Sequence, residues 1–441
     1  MSGTLKKYIP FCSALVVGAL LRSGIALAAC PEMERFHRPD TSGYLEMARS
    51  LAENGDFGGL TGRVPLFPAV CAFFIKFAGG YWQGMLISFL VILSIGTIWL
   101  VRKCAMEFKP GSENAAVWLF ALNITAVANA PMLLTDSLFA LIAAVETLYI
   151  FKFINSSKPV HFITASAAAS VGTLLRPINL LFPLCALFLL VPTEMSWKKR
   201  LLTAGATVAI SMLIVVPWMV RNVCCDAGFT IDTNTGAMYH QNGAMLLAEV
   251  KKSDFETEKA MLIKQMSVEF SDKEKYSTEK SREAYRTANY RNLILKHPFI
   301  WLKQQLNFAT LLPDAPTFLE LAGATSPNRG TMGVLAKEGV FAAVRHYFNG
   351  KYYLIAVLLP LLCASALTLL GTVLYMADKF SHLNRELVVT VLLFSLLVWY
   401  YLFLPGAISA PRYHLPVLPC ACTFAGCVYV KIREIMAKRC K

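Results

Sequence analysis

Residues 82–101 read WQGMLISFLVILSIGTIWLV, twenty consecutive residues without a charged side chain, and Arg102 and Lys103 follow at once. A helix of this length extends about 30 Å, the thickness of the hydrocarbon core of a bilayer. The rest of the 441-residue chain has the same character, with 56% hydrophobic and 16% charged residues and a mean hydropathy of +0.51. This composition excludes soluble, disordered and disulfide-scaffold classes and predicts an all-α polytopic membrane protein.

The same apolar pattern recurs on both sides of this stretch. Eleven long apolar segments lie at about residues 8–29, 64–80, 82–101, 114–129, 131–154, 160–175, 177–191, 201–220, 352–376, 387–404 and 415–430. Between them, basic clusters lie at Lys6–Lys7, Arg102–Lys103, Lys152 with Lys158, Lys198–Arg200, Lys379 with Arg385, and 431–441. All are expected in the cytoplasm. The net charge of +14 therefore reflects topology, and no nucleic-acid partner is expected.

The basic clusters also indicate how many segments cross the membrane. Three crossings between Lys7 and Arg102 would put these residues on opposite sides. Segment 64–80 is the candidate that does not cross, because it is short, begins with Pro65 and Pro68, and contains Lys76. We therefore expect about ten transmembrane helices, with a re-entrant or juxtamembrane helix in a first outer loop at 30–81.

Three regions follow from this topology. Residues 1–220 form a transmembrane module, 221–351 form a mainly helical insert on the outer face, and 352–441 form the C-terminal helices with a basic cytoplasmic tail. Most cysteines fall in apolar stretches. Cys30 and the Cys224–Cys225 pair lie near predicted outer ends of helices, and the sequence leaves open whether they form a disulfide.

The first outer loop contains the strongest catalytic candidate, Asp40, within the sequence His37-Arg38-Pro39-Asp40-Thr41-Ser42-Gly43-Tyr44. Thr41 or Ser42 can cap the amphipathic helix that follows, which places Asp40 near its positive N-terminal end. A carboxylate fixed at the membrane surface can serve as a general base or as a metal ligand. The same pattern also fits an aspartate that only helps to cap the helix. Tyr44 on that helix and Arg63 near the end of the loop are candidate substrate-binding residues.

Other candidates lie at the outer ends of later segments. Asp136 stands where a membrane helix begins, and acids at membrane depth are usually functional, although a water-exposed helix start gives the same sequence. Arg176 could hold a phosphate or only reach toward the interface. Arg412 and Tyr413 in the last outer loop suit a lipid phosphate, and interface anchoring predicts the same residue types.

The outer insert supplies the remaining candidates. Arg221 and Asn222 end the segment that opens it, and His240 and Asn242 lie in polar turns shortly afterwards. Such turns could line a sugar pocket, although solvated loops of this composition are more common.

Motifs of soluble enzymes are absent from the sequence, including the Walker loop, His-Glu-x-x-His, Gly-x-Ser-x-Gly and Asp-x-Asp. The chain instead resembles the GT-C glycosyltransferases, in particular the family 39-like bacterial relatives of the protein O-mannosyltransferases and of the aminoarabinose transferase of lipid A. The resemblance rests on elements in the same order along the chain. They are Leu20-Leu21-Arg22, Asp40 with Tyr44, residues 63–68, Thr135-Asp136, Leu175-Arg176-Pro177, Pro217-Trp218 with Arg221-Asn222, residues 295–298 and residues 412–419.

This resemblance implies an inverting transferase in the bacterial inner membrane, with its active site facing the periplasm or exterior. It would move a sugar from a polyprenyl-phosphate donor to a hydroxyl of an envelope glycolipid, such as lipopolysaccharide, or polysaccharide, with Asp40 as base. Members with an acidic pair have Asp-Glu in the first loop, whereas Thr41 follows Asp40 here. The sequence indicates no definite cofactor, and it leaves a divalent metal open without supporting one. A flippase for lipid-linked sugars is the alternative, but the ionisable residues gather at outer helix ends and not at the midplane as in transporters.

Overall fold

The computed structural model describes residues 3–234, 237–306, 308–324, 334, 338–348, 350–380, 385–398, 400–401, 406–407 and 410–439. The described part is helical and contains no strand. Its helices are α1 (Gly3–Ala29), α2 (Pro39–Asn54), α3 (Leu66–Ala78), α4 (Trp82–Phe108), α5 (Glu113–Ala121), α6 (Ile124–Ala128), α7 (Asp136–Ser156), α8 (Pro159–Thr173), α9 (Phe182–Ala186), α10 (Trp197–Cys224), α11 (Ala237–His240), α12 (Asn242–Lys251), α13 (Phe255–Glu269), α14 (Glu279–Lys296), α15 (Pro298–Gln305), α16 (Ala315–Leu321), α17 (Val340–Phe348), α18 (Tyr353–Phe380), α19 (Arg385–Val398) and α20 (Leu418–Arg439).

Within these ranges, six helical stretches are long and apolar enough to cross a bilayer, which makes the chain a multi-pass membrane protein. They are Ile9–Ala29, Leu66–Phe108, Asp136–Ser156, Trp197–Cys224, Tyr353–Phe380 and Pro411–Lys438. The described residues of the other predicted segments form shorter helices. Segment 114–129 is divided into α5 and α6, because the Asn123 side chain accepts a hydrogen bond from the Ala126 N–H and begins a new helix.

Segment 64–80, which is predicted from the sequence not to cross the membrane, contains the short helix α3. Its 13 residues extend about 20 Å, which is short of the roughly 30 Å hydrocarbon core. Gly79, with φ of 54°, interrupts the backbone before α4 begins. Helix α3 packs on α2.

A buried arginine holds the divided α5–α6 region against α1. Arg22 is fully buried and donates to the carbonyls of Ala121 and Phe120 at 3.0 and 3.3 Å and to the Ser94 hydroxyl at 2.9 Å. These carbonyls end α5, where the helix dipole is negative and favours a cation. Arg22 therefore supplies a cap that the interrupted helix needs inside the membrane.

The insert between α10 and α18 has a small core of its own. Tyr239, Ala244, Leu262 and Met266 form that core, and Glu258 pairs with Lys251 at 2.8 Å. Hydrogen bonds from Lys251 and Ser253 hold the pKa of Glu258 below its usual value. Beyond this core the chain returns to the transmembrane helices, where α16 packs against α6 and α1.

The three cysteines near predicted outer helix ends carry free thiols. Cys30 and Cys224 are exposed and Cys225 is partly buried, and none of them is bridged within the described residues.

Candidate active site

The start of α2 positions Asp40. The helix begins at Pro39, so Thr41 and Ser42 lie in its first turn and do not precede it as the expected cap. Thr41 Oγ1 instead accepts a hydrogen bond from the Arg38 N–H and donates to the Leu133 carbonyl, both at 3.0 Å. Because Thr41 ties the helix start to the segment before α7, the adjacent Asp40 is held at a fixed place near the positive helix end.

Two arginines from distant parts of the chain converge on the Asp40 carboxylate. Arg63 Nη2 donates to Oδ1 at 2.9 Å, and Arg412 Nη2 donates to Oδ2 at 3.0 Å. The Asp40 side chain is 40% exposed, whereas the arginine side chains are 20% and 17% exposed. The arrangement therefore combines a reachable carboxylate with two well-packed cations.

Aromatic rings position these cations. The Arg63 guanidinium lies 5.1 Å from the centroid of the Tyr44 ring, and the Arg412 guanidinium lies 5.6 Å from that of Tyr413. Burial raises the pKa of Tyr44 above its ordinary value. A Cβ atom at Gly43 would lie 3.2 Å from Arg63 Nε, so a larger residue there would require a small shift of the Arg63 side chain. We call Asp40, Tyr44, Arg63 and Arg412 the Asp40 cluster.

Asp136 and Arg176 form a second acid–arginine site, which is closed. Arg176 Nη2 donates to Asp136 Oδ1, and Arg176 Nε donates to Thr135 Oγ1 at 2.7 Å. Asp136 is only 1% exposed, and its Oδ2 has no hydrogen-bond partner among the described residues. The Arg176 guanidinium lies 5.9 Å from the Tyr413 ring centroid. Tyr413 therefore contacts an arginine of each site and joins the two.

Four predicted residues lie in other contacts. Arg221 donates to the Leu60 carbonyl at 2.8 Å, and Asn222 donates to the Thr230 carbonyl at 2.9 Å. Both therefore support the packing of the first loop and of the start of the insert on the end of α10. His240 ends α11, and Asn242 hydrogen-bonds Tyr290. These last two residues belong to the insert.

Two polar contacts, one beside the Asp40 cluster and one further along α7, involve residues that the sequence analysis did not single out. Arg38, two residues before Asp40, binds Glu320 of α16 through two hydrogen bonds of 3.1 and 2.9 Å. No pattern in the sequence joins these residues, which lie 282 positions apart. Glu146, buried within α7, hydrogen-bonds Asn179, three residues after Arg176. An acid inside an apolar run was the available signal for Glu146.

The residues present do not fit a divalent metal at the Asp40 cluster. Both Asp40 oxygens accept hydrogen bonds from guanidinium groups, and a cation would have to displace these arginines and then face their charge. Among the described residues, no group of three His, Cys, Asp or Glu side chains has a metal-binding arrangement.

Comparison with known proteins identifies the fold. No protein-family model matches the sequence, and no curated protein matches it. The structure is similar to the oligosaccharyltransferase of the archaeon Archaeoglobus fulgidus, with a TM-score of 0.52, 14% identity, and coverage of 99% of this chain and 52% of the archaeal one. The same enzyme in complex with zinc and sulfate gives a TM-score of 0.50 at 11% identity, over 96% of this chain and 50% of that one.

A third similar structure is that of ArnT from Cupriavidus metallidurans bound to undecaprenyl phosphate, with a TM-score of 0.41, 14% identity, and coverage of 96% of this chain and 77% of that one. The chain spans about half the length of the archaeal enzyme. It has a GT-C-like fold, as the sequence resemblance predicted.

Proposed function

We propose that this protein is a membrane glycosyltransferase that moves a sugar from a polyprenyl-phosphate donor to an acceptor hydroxyl at the Asp40 cluster. The observation that carries the proposal is the reachable Asp40 carboxylate between two arginines, on a GT-C-like fold. A base beside cations suits a reaction in which a hydroxyl loses a proton while a phosphate leaves.

Arg412 is the cation proposed to bind the donor phosphate. Its partner in the structure is Asp40 Oδ2, while Arg63 holds Oδ1. A phosphate bound to Arg412 would compete with that contact and leave Oδ2 free to accept a proton. Donor binding would therefore prepare the base, while Arg63 keeps the carboxylate oriented.

The transfer itself is a direct displacement. The acceptor oxygen attacks the anomeric carbon and transfers its proton to Asp40, while the bond from that carbon to the phosphate oxygen breaks. Polyprenyl phosphate leaves with one additional negative charge, which Arg412 stabilises. Asp40 then releases its proton to solvent through its exposed side, and inversion at the anomeric carbon follows from the single displacement.

Burial argues for Asp40 and against Asp136 as the base. Asp136 is 1% exposed and paired with Arg176, so an acceptor hydroxyl has no path to it. Its proposed role is to hold Arg176 beside Tyr413, where Arg176 adds positive charge near the phosphate. Tyr44 and Tyr413 are proposed to line the sugar, because their rings flank the cations. Arg221, Asn222, His240 and Asn242 have supporting roles in this proposal.

The membrane side of the site and its acceptor are proposed from the sequence analysis. We place it on the periplasmic or outer side of a bacterial inner membrane, with residues 221–351 as the insert above it. The bridge between Arg38 and Glu320 brings the later part of that insert to α2. This contact supports a location of the insert and of α2 on the same side of the membrane. An envelope glycolipid or polysaccharide is the proposed acceptor.

Mass spectrometry of envelope glycolipids tests the function without knowledge of the sugar. Cells lacking the gene should lose a glycolipid mass that corresponds to one sugar, and the wild-type gene should restore it. Asp40→Asn should fail to restore it, whereas Glu53→Gln, which removes an exposed acid from the same helix, should restore it. An unchanged glycolipid profile in the deletion strain together with an unchanged sugar composition of its envelope polysaccharides, or full restoration by Asp40→Asn at equal expression, would overturn the proposal.

A further inference from the structure

A cavity of about 1140 Å³ lies at the end of α7 opposite Asp136. It opens between the α7–α8 turn and the start of α10. Asp136 and Ile154 are eighteen residues apart on one helix, or about 27 Å. This distance is close to the thickness of the hydrocarbon core, so the cavity lies at the other membrane face from the Asp40 cluster.

The charge of the cavity favours an anion. Lys158 and Lys199 line it together with Ser156, Ser157 and Ser196. Neither lysine forms an ion pair with a carboxylate in the part of the chain that the structure describes. Glu194 is the only acid in the lining, and it already makes an interaction within the protein. The lining therefore carries a net positive charge.

The helix starts at the cavity add to that charge. Helix α8 begins at Pro159 and α10 begins at Trp197, and neither has an acidic residue in its first turn. The N–H groups and positive dipole ends of both helices are therefore not neutralised by their own side chains.

Other residues at the cavity indicate contact with lipid. Trp197 is 73% exposed, and an exposed tryptophan at a helix end is typical of the membrane interface. Leu202 lines the cavity and is likewise 73% exposed, and nearby Val160 is 58% exposed. Ile163 and Ala206 continue the apolar wall. A polar, basic end beside an apolar wall that is open to the membrane matches a phospholipid and not a soluble anion.

We propose that this cavity binds one anionic glycerophospholipid. The phosphate and headgroup lie against Lys158, Lys199 and the serine hydroxyls, and an acyl chain follows Ile163 and Leu202 toward the hydrocarbon core. The lipid fills the gap between the α7–α8 turn and α10 and stabilises their packing. This site is independent of the sugar transfer proposed above and uses none of its residues.

Native mass spectrometry of the purified full-length protein with dioleoylphosphatidylglycerol tests the proposal. Wild type should retain one bound lipid per chain, with weaker retention of dioleoylphosphatidylcholine. Lys158→Ala/Lys199→Ala should bind phosphatidylglycerol about 10- to 30-fold more weakly, since each basic residue near an anionic lipid contributes a several-fold gain in affinity. Lys158→Arg/Lys199→Arg, which keeps both charges, should bind nearly normally.

Controls separate this site from general attraction and from misfolding. Lys264→Ala/Lys273→Ala removes two exposed lysines from the insert and should bind phosphatidylglycerol as wild type does. Thermal unfolding without added lipid should show that all variants are folded. Equal phosphatidylglycerol binding by wild type and Lys158→Ala/Lys199→Ala would overturn the proposal. Retention of phosphatidylcholine by wild type that equals its retention of phosphatidylglycerol would also overturn it. If inorganic phosphate raises the thermal unfolding temperature as much as phosphatidylglycerol does, the cavity binds a free anion, and the proposal of a bound lipid is wrong.

Discussion

Two acid–arginine sites lie side by side in this protein, and they differ in access. Asp40 is 40% exposed and contacts two arginines from different parts of the chain. Asp136 is 1% exposed and contacts one, Arg176. Tyr413 adjoins an arginine of each site, so both sites share one region. The residue types are the same, and burial alone separates a group that can meet substrate from one that cannot.

The comparison indicates a division of roles. An exposed pair contributes little to stability, which leaves the Asp40 cluster free to exchange its partners for substrate. A buried pair is costly to break, because removal of one partner leaves an uncompensated charge. Mutations at Asp40 should therefore change catalysis, and mutations at Asp136 should change stability.

The largest expected effect is that of Asp40→Asn on kcat. The amide keeps the shape of the side chain but cannot accept the proton, so kcat should fall by about 10²- to 10⁴-fold, as is typical of losing a general base. Turnover of purified protein with its lipid-linked donor measures this. Glu53→Gln on the same helix should keep wild-type turnover. An Asp40→Asn enzyme within a few-fold of wild type would remove Asp40 from the chemistry.

The second-largest effect is expected for Arg412→Ala. Turnover should fall by about 10²- to 10³-fold, because the leaving phosphate loses a preorganised cation. Arg412→Lys should recover only part of the activity if two guanidinium N–H groups bind the phosphate. Both are measured at equal amounts of folded protein and subsaturating donor. Arg49→Ala, which removes an exposed arginine from α2, is the matched control. Equal turnover in wild type and Arg412→Ala would exclude Arg412 from donor binding.

Asp136→Asn should act on folding. Arg176 loses its counter-charge, which costs on the order of 3 kcal/mol for a buried pair. A lower thermal unfolding temperature in detergent measures this loss. Activity per folded molecule should fall less than tenfold. An unchanged unfolding temperature with abolished activity would give Asp136 the chemical role assigned here to Asp40.

The smallest effect concerns the bridge between Arg38 and Glu320, which fixes the start of α2. Its side chains are 19% and 21% exposed, so the coupling should be about 1 kcal/mol, or about fivefold in kcat. A double-mutant cycle with Arg38→Gln and Glu320→Gln measures it. If the two effects simply multiply in the double variant, the bridge does not position Asp40.

The sequence was sufficient for the membrane class and for the local placement of Asp40, because both depend on short-range patterns. The apolar run at 82–101 predicts α4, whereas the predicted cap of α2 at Thr41 or Ser42 lies three or four residues after the observed N-cap, Arg38. The break at Asn123 was not predicted, since the flanking residues are apolar throughout and one side-chain cap decides the outcome.

The sequence could not predict which arginines pair with Asp40. Arg412 and Asp40 are 372 residues apart, and the sequence indicated only that both lie in outer loops. Arg221 is also predicted on the outer side, but it donates a hydrogen bond to the Leu60 carbonyl and not to Asp40. Which outer arginine meets Asp40 depends on the packing of the last helices, and short-range patterns carry no information about that packing.

The most direct test of the division between the two sites is a paired measurement of donor binding and turnover in Asp40→Asn and Asp136→Asn, each corrected for the folded fraction. We predict that Asp40→Asn binds donor within a few-fold of wild type and turns over at least about 100-fold more slowly. Asp136→Asn should unfold at a lower temperature yet keep turnover within tenfold of wild type. An active Asp40→Asn beside an inactive, fully folded Asp136→Asn would contradict the account.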